Sequence, residues 1–108
     1  MASGKIQKKV SPTSGKSTLG TMTTSETTKA FTATHNGYVC LDTGNVGVNN
    51  PSIKCHIYII AKTIGMATTY KVPSYTGAYM GFVPVAKGDS VVVELSGHVG
   101  TATIYQIY

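Results

Sequence analysis

The sequence of 108 residues contains no arginine and no tryptophan, and it has four acidic residues against nine lysines. Its formal charge of +5 could suggest a nucleic-acid partner. Lysine, however, lacks the planar fork with which arginine binds a base or a phosphate at two points. Four of the nine lysines also precede Thr28, and the remainder of the chain sets five lysines against three acidic residues. We therefore expect no nucleic-acid partner.

The shortage of carboxylates bears on catalysis as well. Hydrolysis of a glycan usually needs two carboxyl groups a few ångströms apart. The acidic residues are Glu26, Asp42, Asp89 and Glu94. Nothing in their spacing predicts a pair, and the sequence has no nucleophile-elbow motif for a serine triad. We expect a protein that is not an enzyme, with catalysis as the third class of function after two binding roles.

Histidines are the remaining candidates for metal chemistry. His35 and His98 fall in predicted turns, and His56 stands alone on a predicted strand. No spacing concentrates ligands as a zinc site does. In a trimer, the three-fold axis would bring together one histidine from each subunit, which gives three metal ligands. His56 is the first position to check for such a site. We expect no metal and no cofactor.

Long apolar runs are also missing. The N-terminus has no signal peptide, and no stretch approaches the roughly 18 apolar residues of a membrane span. Cys40 and Cys55 are too few for a disulfide framework, and a cytosolic product keeps them reduced. We expect two buried thiols, no membrane insertion, and assembly in the cytoplasm of the producing cell.

The chain divides by composition near Thr28. Residues 1–27 are rich in Ser, Thr, Gly and Lys, and such a segment cannot bury enough apolar surface to offset the entropy of ordering. We predict a flexible tail or linker there and a folded domain at residues 28–108. Within that domain, alternating apolar residues and turn residues recur without any helical period. This pattern predicts an all-β sandwich or barrel of about seven or eight strands.

Two turns predict hairpins within this sandwich. Residues 79–95 read as strand, turn and strand, with Lys87-Gly88-Asp89 supplying a positive φ and a backbone-binding carboxylate. Pro84 lacks an N–H, which predicts an edge strand or a bulge at that point. Asn36-Gly37 is the second hairpin signal.

Doubled apolar faces predict contacts between subunits. Val91, Val92 and Val93 are consecutive, although one valine face suffices for the core of a single chain. Either Val92 or its two opposite-facing neighbours should therefore line a subunit interface. His56 and Tyr58 belong to a mixed strand face that also calls for partial burial, and we assign them to the interface too.

Two irregular stretches carry the candidate receptor-binding residues. Residues 63–78, with the strand that follows, contain tyrosines, and residues 43–52 contain asparagines. Rigid aromatic rings can stack on sugars or anchor a protein, and Asn side chains can bind a polar ligand. Packing over sheet edges and ordinary turn chemistry are equally open explanations. The candidates are Tyr70, Tyr75, Tyr79, Asn45, Asn49 and Asn50.

Three segments carry a resemblance to a known group of proteins. They are the run Phe31-Thr-Ala-Thr-His-Asn-Gly-Tyr-Val39, the run Pro84-Val-Ala-Lys-Gly-Asp-Ser-Val-Val-Val93, and an aromatic terminal strand. Together they resemble the C-terminal knob domains of bacteriophage tail and head fibres, which look like tumour-necrosis-factor-type jelly rolls. The resemblance covers residues 28–108 in outline, and its motifs are structural. It implies an antiparallel β-sandwich that is jelly-roll-like.

This resemblance implies a homotrimeric fibre-tip or virion-decoration protein. Its distal loops would bind a glycan or protein receptor on the bacterial surface, and the N-terminal segment would join other virion proteins. The protein would then be assembled in the host cytoplasm and reside in the virion. The alternative is a stand-alone, lectin-like carbohydrate-binding module of bacterial origin, which could be a monomer or a dimer.

Overall fold

The protein folds into eight antiparallel strands arranged as two four-stranded sheets. The computed structural model describes residues 15–42, 53–72, 80–98 and 100–108. The strands are β1 (Lys16–Met22), β2 (Thr28–Thr32), β3 (Gly37–Asp42), β4 (Lys54–Ile60), β5 (Ala67–Val72), β6 (Met80–Val85), β7 (Ser90–Ser96) and β8 (Ala102–Ile107). These described residues include no helix that could span a membrane. The predicted all-β sandwich is confirmed.

The strand order is that of a jelly roll. One sheet has the order β1-β8-β3-β6 and the other β2-β7-β4-β5. Pairs β1·β8, β2·β7, β3·β6 and β4·β5 are those of one long hairpin with β4 and β5 at its tip. When this hairpin is rolled up, β3 also pairs with β8 and β4 also pairs with β7. Each arm of the hairpin, β1 to β4 and β5 to β8, then contributes two strands to each sheet.

Alternate residues of the strands fill the space between the sheets. In β4 the inward residues are Cys55, Ile57 and Ile59, and in β7 they are Val91, Val93 and Leu95. Sheet β1-β8-β3-β6 contributes Met22, Val39, Leu41, Val83, Val85, Ala102 and Ile104. Alternation with a period of two therefore places every second residue of these strands in the core.

The predicted hairpin at residues 79–95 is wrong in its pairing. The turn itself has the expected chemistry, because Gly88 has a φ of 93° and the Asp89 carboxylate accepts a hydrogen bond from Ala86 N–H over 2.9 Å. However, β6 pairs with β3, whereas β7 pairs with β2 and β4. The turn reverses the chain, but it carries the chain from one sheet to the other.

Asn36-Gly37 is likewise a crossover and not a hairpin turn, since β2 and β3 belong to different sheets. The two crossovers lie side by side. Gly88 N–H donates to Ala33 C=O over 2.8 Å, and Lys87 N–H donates to the Asn36 side-chain oxygen over 2.9 Å. These bonds continue the pairing of the long hairpin from one sheet to the other. The turn residues therefore hold the two crossovers together.

The prediction of a tail at residues 1–27 is wrong for the strand β1. Backbone pairing with β8 orders this segment, and Met22 is fully buried in the core. The ring of Phe31 also lies against Gly20, where a Cβ atom would stand only 2.6 Å from ring carbon Cε2. A low apolar content does not exclude a strand whose backbone completes a sheet. Residues 1–14 lie outside the described part of the chain.

Both cysteines are free and buried, as predicted. Burial raises the pKa of the Cys55 thiol to about 12 and that of Cys40 to about 11, where the nearby Lys16 charge opposes the rise. Cys55 belongs to the core. Cys40 lies between the inward residues Val39 and Leu41, so its side chain is buried on the opposite face of β3.

Candidate binding faces

The two sheets present outer faces of different chemistry. The outer face of sheet β2-β7-β4-β5, hereafter the polar face, has a row of directly opposed residues across all four strands. This row consists of Thr28, Glu94, His56 and Lys71. The next row consists of Ala30, Val92, Tyr58 and Thr69. Hydroxyl, carboxylate, imidazole and ammonium groups thus lie beside one half-buried tyrosine ring.

One hydrogen bond joins these two rows. The Tyr58 hydroxyl donates to Glu94 Oε1 over 2.8 Å. This bond, together with desolvation and the negative charge of the carboxylate, raises the pKa of Tyr58. The His56 and Tyr58 rings lie 6.3 Å apart between centroids with an interplanar angle of 24°. The bond therefore restrains the carboxylate next to an aromatic surface.

A groove of about 300 Å³ lies over one end of the polar face. Its lining residues are Thr27, Thr28, Lys54, His56, Glu94, Leu95 and Ser96. The register places Lys54 opposite Ser96 and His56 opposite Glu94. We call this the Glu94 groove. It is an open depression that combines hydrogen-bond donors and acceptors of both charges.

The outer face of the other sheet, hereafter the aromatic face, carries several aromatic rings and ends in a polar row of Thr21, Thr103 and Asp42. Its residues in the described strands include Lys16, Tyr38, Cys40, Phe82, Pro84, Tyr105 and Ile107. Cys40 is directly opposite Tyr105, and Tyr38 is opposite both Ile107 and Pro84. Nζ of Lys16 lies 4.3 Å from the centroid of the Tyr105 ring, within cation–π distance.

Phe82 is the most exposed aromatic side chain of this face, at 47%. Its φ of 47° is in the left-handed region, which a bulky side chain adopts only at a cost. The β3·β6 register shifts between Val39 and Leu41, so Gly81 and Phe82 form a bulge opposite Cys40. Backbone strain of this kind is more frequent at functional sites, so Phe82 is a candidate contact residue.

The predicted interface residues separate onto two faces. Val91 and Val93 are fully buried inside the sandwich and offer nothing to a second subunit. Assigning these two to the interface is therefore wrong, because they complete the core of their own chain. Val92 shares the polar face with His56 and Tyr58, and an interface there stays a prediction.

The predicted receptor residues are only partly described. Tyr70 lies in β5, opposite Ile57, and packs against the core. Its assignment to a binding loop is therefore wrong, since threonine-rich residues 67–72 pair as a regular strand. The other candidates, Tyr75, Tyr79, Asn45, Asn49 and Asn50, lie outside the described residues.

The histidines have separate environments. His35 stacks on Tyr108 at 3.7 Å between centroids, and the buried His98 places Nε2 2.9 Å from Thr23 C=O. Within residues 15–42, 53–72, 80–98 and 100–108, no three His, Cys, Asp or Glu side chains are grouped to hold a metal ion. His56 instead belongs to the polar row.

Glu94 and Phe82 are the residues that sequence reasoning missed as binding candidates. Glu94 interrupts the apolar run between Val93 and Leu95, which signals an outward position. Its contact with Tyr58 depends on the β4·β7 register, and no pattern within either strand specifies that register.

No protein-family model, curated protein or solved structure matches the chain.

Proposed function

We propose that the chain is a non-enzymatic bacteriophage virion protein, a fibre-tip or decoration domain that forms a homotrimer and binds a glycan on the host surface. One observation carries the proposal: a single jelly roll presents an aromatic face on one sheet and a polar, grooved face on the other. Self-assembly can use a surface of the first kind, and sugar binding can use one of the second. The motifs at residues 31–39 and 84–93 support the virion role by resemblance alone.

The aromatic face suits contact between subunits. Interface cores are enriched in aromatic side chains and depleted of charge. Phe82, Tyr38 and Tyr105 provide such a surface, and burial of the half-exposed Phe82 ring would stabilise an assembly. An interface on the polar face would have to desolvate Lys54, Lys71 and Glu94. An interface on the aromatic face would have to desolvate fewer ions, Lys16 and Asp42, and each ion left unpaired costs several kcal/mol.

The polar face suits a sugar. Hydroxyl groups of a sugar both donate and accept hydrogen bonds, and the Glu94 groove offers carboxylate, ammonium and hydroxyl partners. The rings of Tyr58 and His56 add an apolar surface beside it. The same groove would serve the alternative role, a stand-alone lectin-like module, which needs no trimer. The mass of the native assembly distinguishes the two.

Adhesion of the labelled protein to a panel of bacterial strains tests the function. A variant with His56→Ala and Glu94→Gln should lose about tenfold in adhesion, the equivalent of 1.4 kcal/mol, while it keeps its trimeric mass and melting temperature. Lys87→Gln, an exposed change at the crossover end, is the control and should adhere normally. Full adhesion by the groove variant would exclude the polar face as the receptor site. A monomeric wild-type protein that adheres would favour the lectin-like module.

A further inference from the structure

The Glu94 groove has a charge pattern that restricts its ligand. Its lining contains one carboxylate, Glu94, and one ammonium group, Lys54, with His56 beside them. Lys71 extends the Thr28, Glu94 and His56 row beyond the groove, at the edge strand β5. The titratable groups facing the site from its four strands are therefore Glu94, His56, Lys54, Tyr58 and Lys71.

An anionic sugar would be attracted by Lys54 and repelled by Glu94, and for a cationic sugar the two effects are exchanged. The paired charges therefore give a charged sugar little net attraction to offset the desolvation of its own charge. A neutral sugar has no charge to desolvate. Its hydroxyls can donate to the carboxylate and accept from the ammonium, and such charge-assisted hydrogen bonds are roughly twice as strong as neutral ones.

The Glu94 carboxylate is restrained before any ligand arrives. Tyr58 O–H holds Glu94 Oε1 at 2.8 Å, and the directly opposed pair of Glu94 and Thr28 places a hydroxyl on the other side. A preorganised acceptor binds without the entropic cost of ordering a free side chain. Tyr58 thus acts as a positioning residue for Glu94.

We infer that the Glu94 groove binds a neutral saccharide unit through adjacent hydroxyl groups, with Glu94 as the acceptor and Lys54 as the donor. The inference rests on the proposed glycan function and specifies its ligand class. At about 300 Å³ the groove is at the lower end of small-molecule sites, so it suits one end or one branch of a longer glycan. Lectin-like recognition of a charged sugar is the competing reading.

A printed array of neutral, anionic and cationic oligosaccharides, probed with the full-length protein, tests this. Wild type should bind neutral oligosaccharides about tenfold more strongly than charged ones, a preference of 1.4 kcal/mol. Glu94→Gln should lose most of this binding and discriminate less against anionic sugars. Lys54→Gln should discriminate less against cationic sugars, while Lys87→Gln, with the same change of charge, should match wild type.

Tyr58→Phe should weaken neutral-sugar binding less than Glu94→Gln does, because the acceptor remains but is less restrained. Strong binding confined to anionic or cationic sugars would overturn the inference and leave the proposed glycan function standing. Absence of binding to every class on the array would contradict the glycan function itself. Equal binding by wild type and Glu94→Gln would show that the sugar does not bind in the Glu94 groove.

Discussion

The side-chain oxygen of Gln106 accepts a hydrogen bond from the backbone N–H of Thr34 over 2.8 Å, across 72 residues of sequence. The same oxygen lies 3.3 Å from His35 N, and Gln106 Nε2 donates to His35 C=O. Gln106 is fully buried in β8, a strand of the sheet that the chain joins after this bend. One amide thus satisfies the backbone where the chain crosses from β2 to β3.

Replacement of this amide should be costly. In Gln106→Leu the volume is similar, but the backbone groups of Thr34 and His35 lose their partners. We expect a loss of about 2 kcal/mol in the free energy of unfolding, as for unsatisfied partly buried groups. Urea denaturation measures it, with Thr103→Val on the outer face of β8 as the control. A loss as small as that of the control would mean that water replaces the amide.

Gln106 also shows what a sequence pattern can and cannot predict. Period-two alternation places Gln106 on the same face as Ala102 and Ile104, so its burial was predictable. Its partners in the crossover were not, because they depend on which strands share a sheet. Local turn chemistry at Gly88 fixes the reversal of the chain, but burial of long-range partners decides the pairing. For the same reason Glu94 could not be placed beside Tyr58.

Strand β1 gives the second prediction, since the polar composition of residues 16–22 concealed it. Met22 is fully buried, and Met22→Ala should remove about 3 kcal/mol of stability through lost transfer energy and the cavity that remains. Met66→Ala, at a methionine that is 66% exposed, is the matched control and should change stability by less than about 0.5 kcal/mol. Equal denaturation midpoints for the two variants would show that β1 contributes little to the fold.

The two thiols predict a dependence on alkaline pH. An unfolded thiol releases its proton near its ordinary pKa of 9.0, whereas burial raises the pKa of Cys40 to about 11 and of Cys55 to about 12. Above pH 9 the unfolded chain therefore binds fewer protons than the folded one, and stability falls as pH rises. The stability that the protonated thiols contribute is fully present below pH 9, and it is lost as the pH rises through 11 to 12.

Urea midpoints at pH 8 and at pH 10.5 measure the effect. A Cys40→Ala, Cys55→Ala variant retains the titration of lysine and tyrosine, so its midpoint should fall less steeply with pH than that of wild type. Native thiols should also react slowly with a disulfide reagent at pH 8, because little thiolate is present. Parallel pH profiles for the two proteins would show that the thiols do not contribute.

The last prediction decides between the two faces as the site of assembly. Phe82→Asp should dissociate the proposed trimer, because a charge buried in an interface without a partner costs several kcal/mol. Asp also tolerates the left-handed backbone at this position better than Phe, so the fold should survive. Val92→Asp introduces the same carboxylate on the polar face and should leave the assembly intact.

Native mass spectrometry gives the subunit number, and urea midpoints verify that each variant folds. If Val92→Asp separates the subunits and Phe82→Asp does not, the sequence-based interface with His56 and Tyr58 is correct. Subunits would then cover the Glu94 groove, and the receptor site would have to lie elsewhere on the chain.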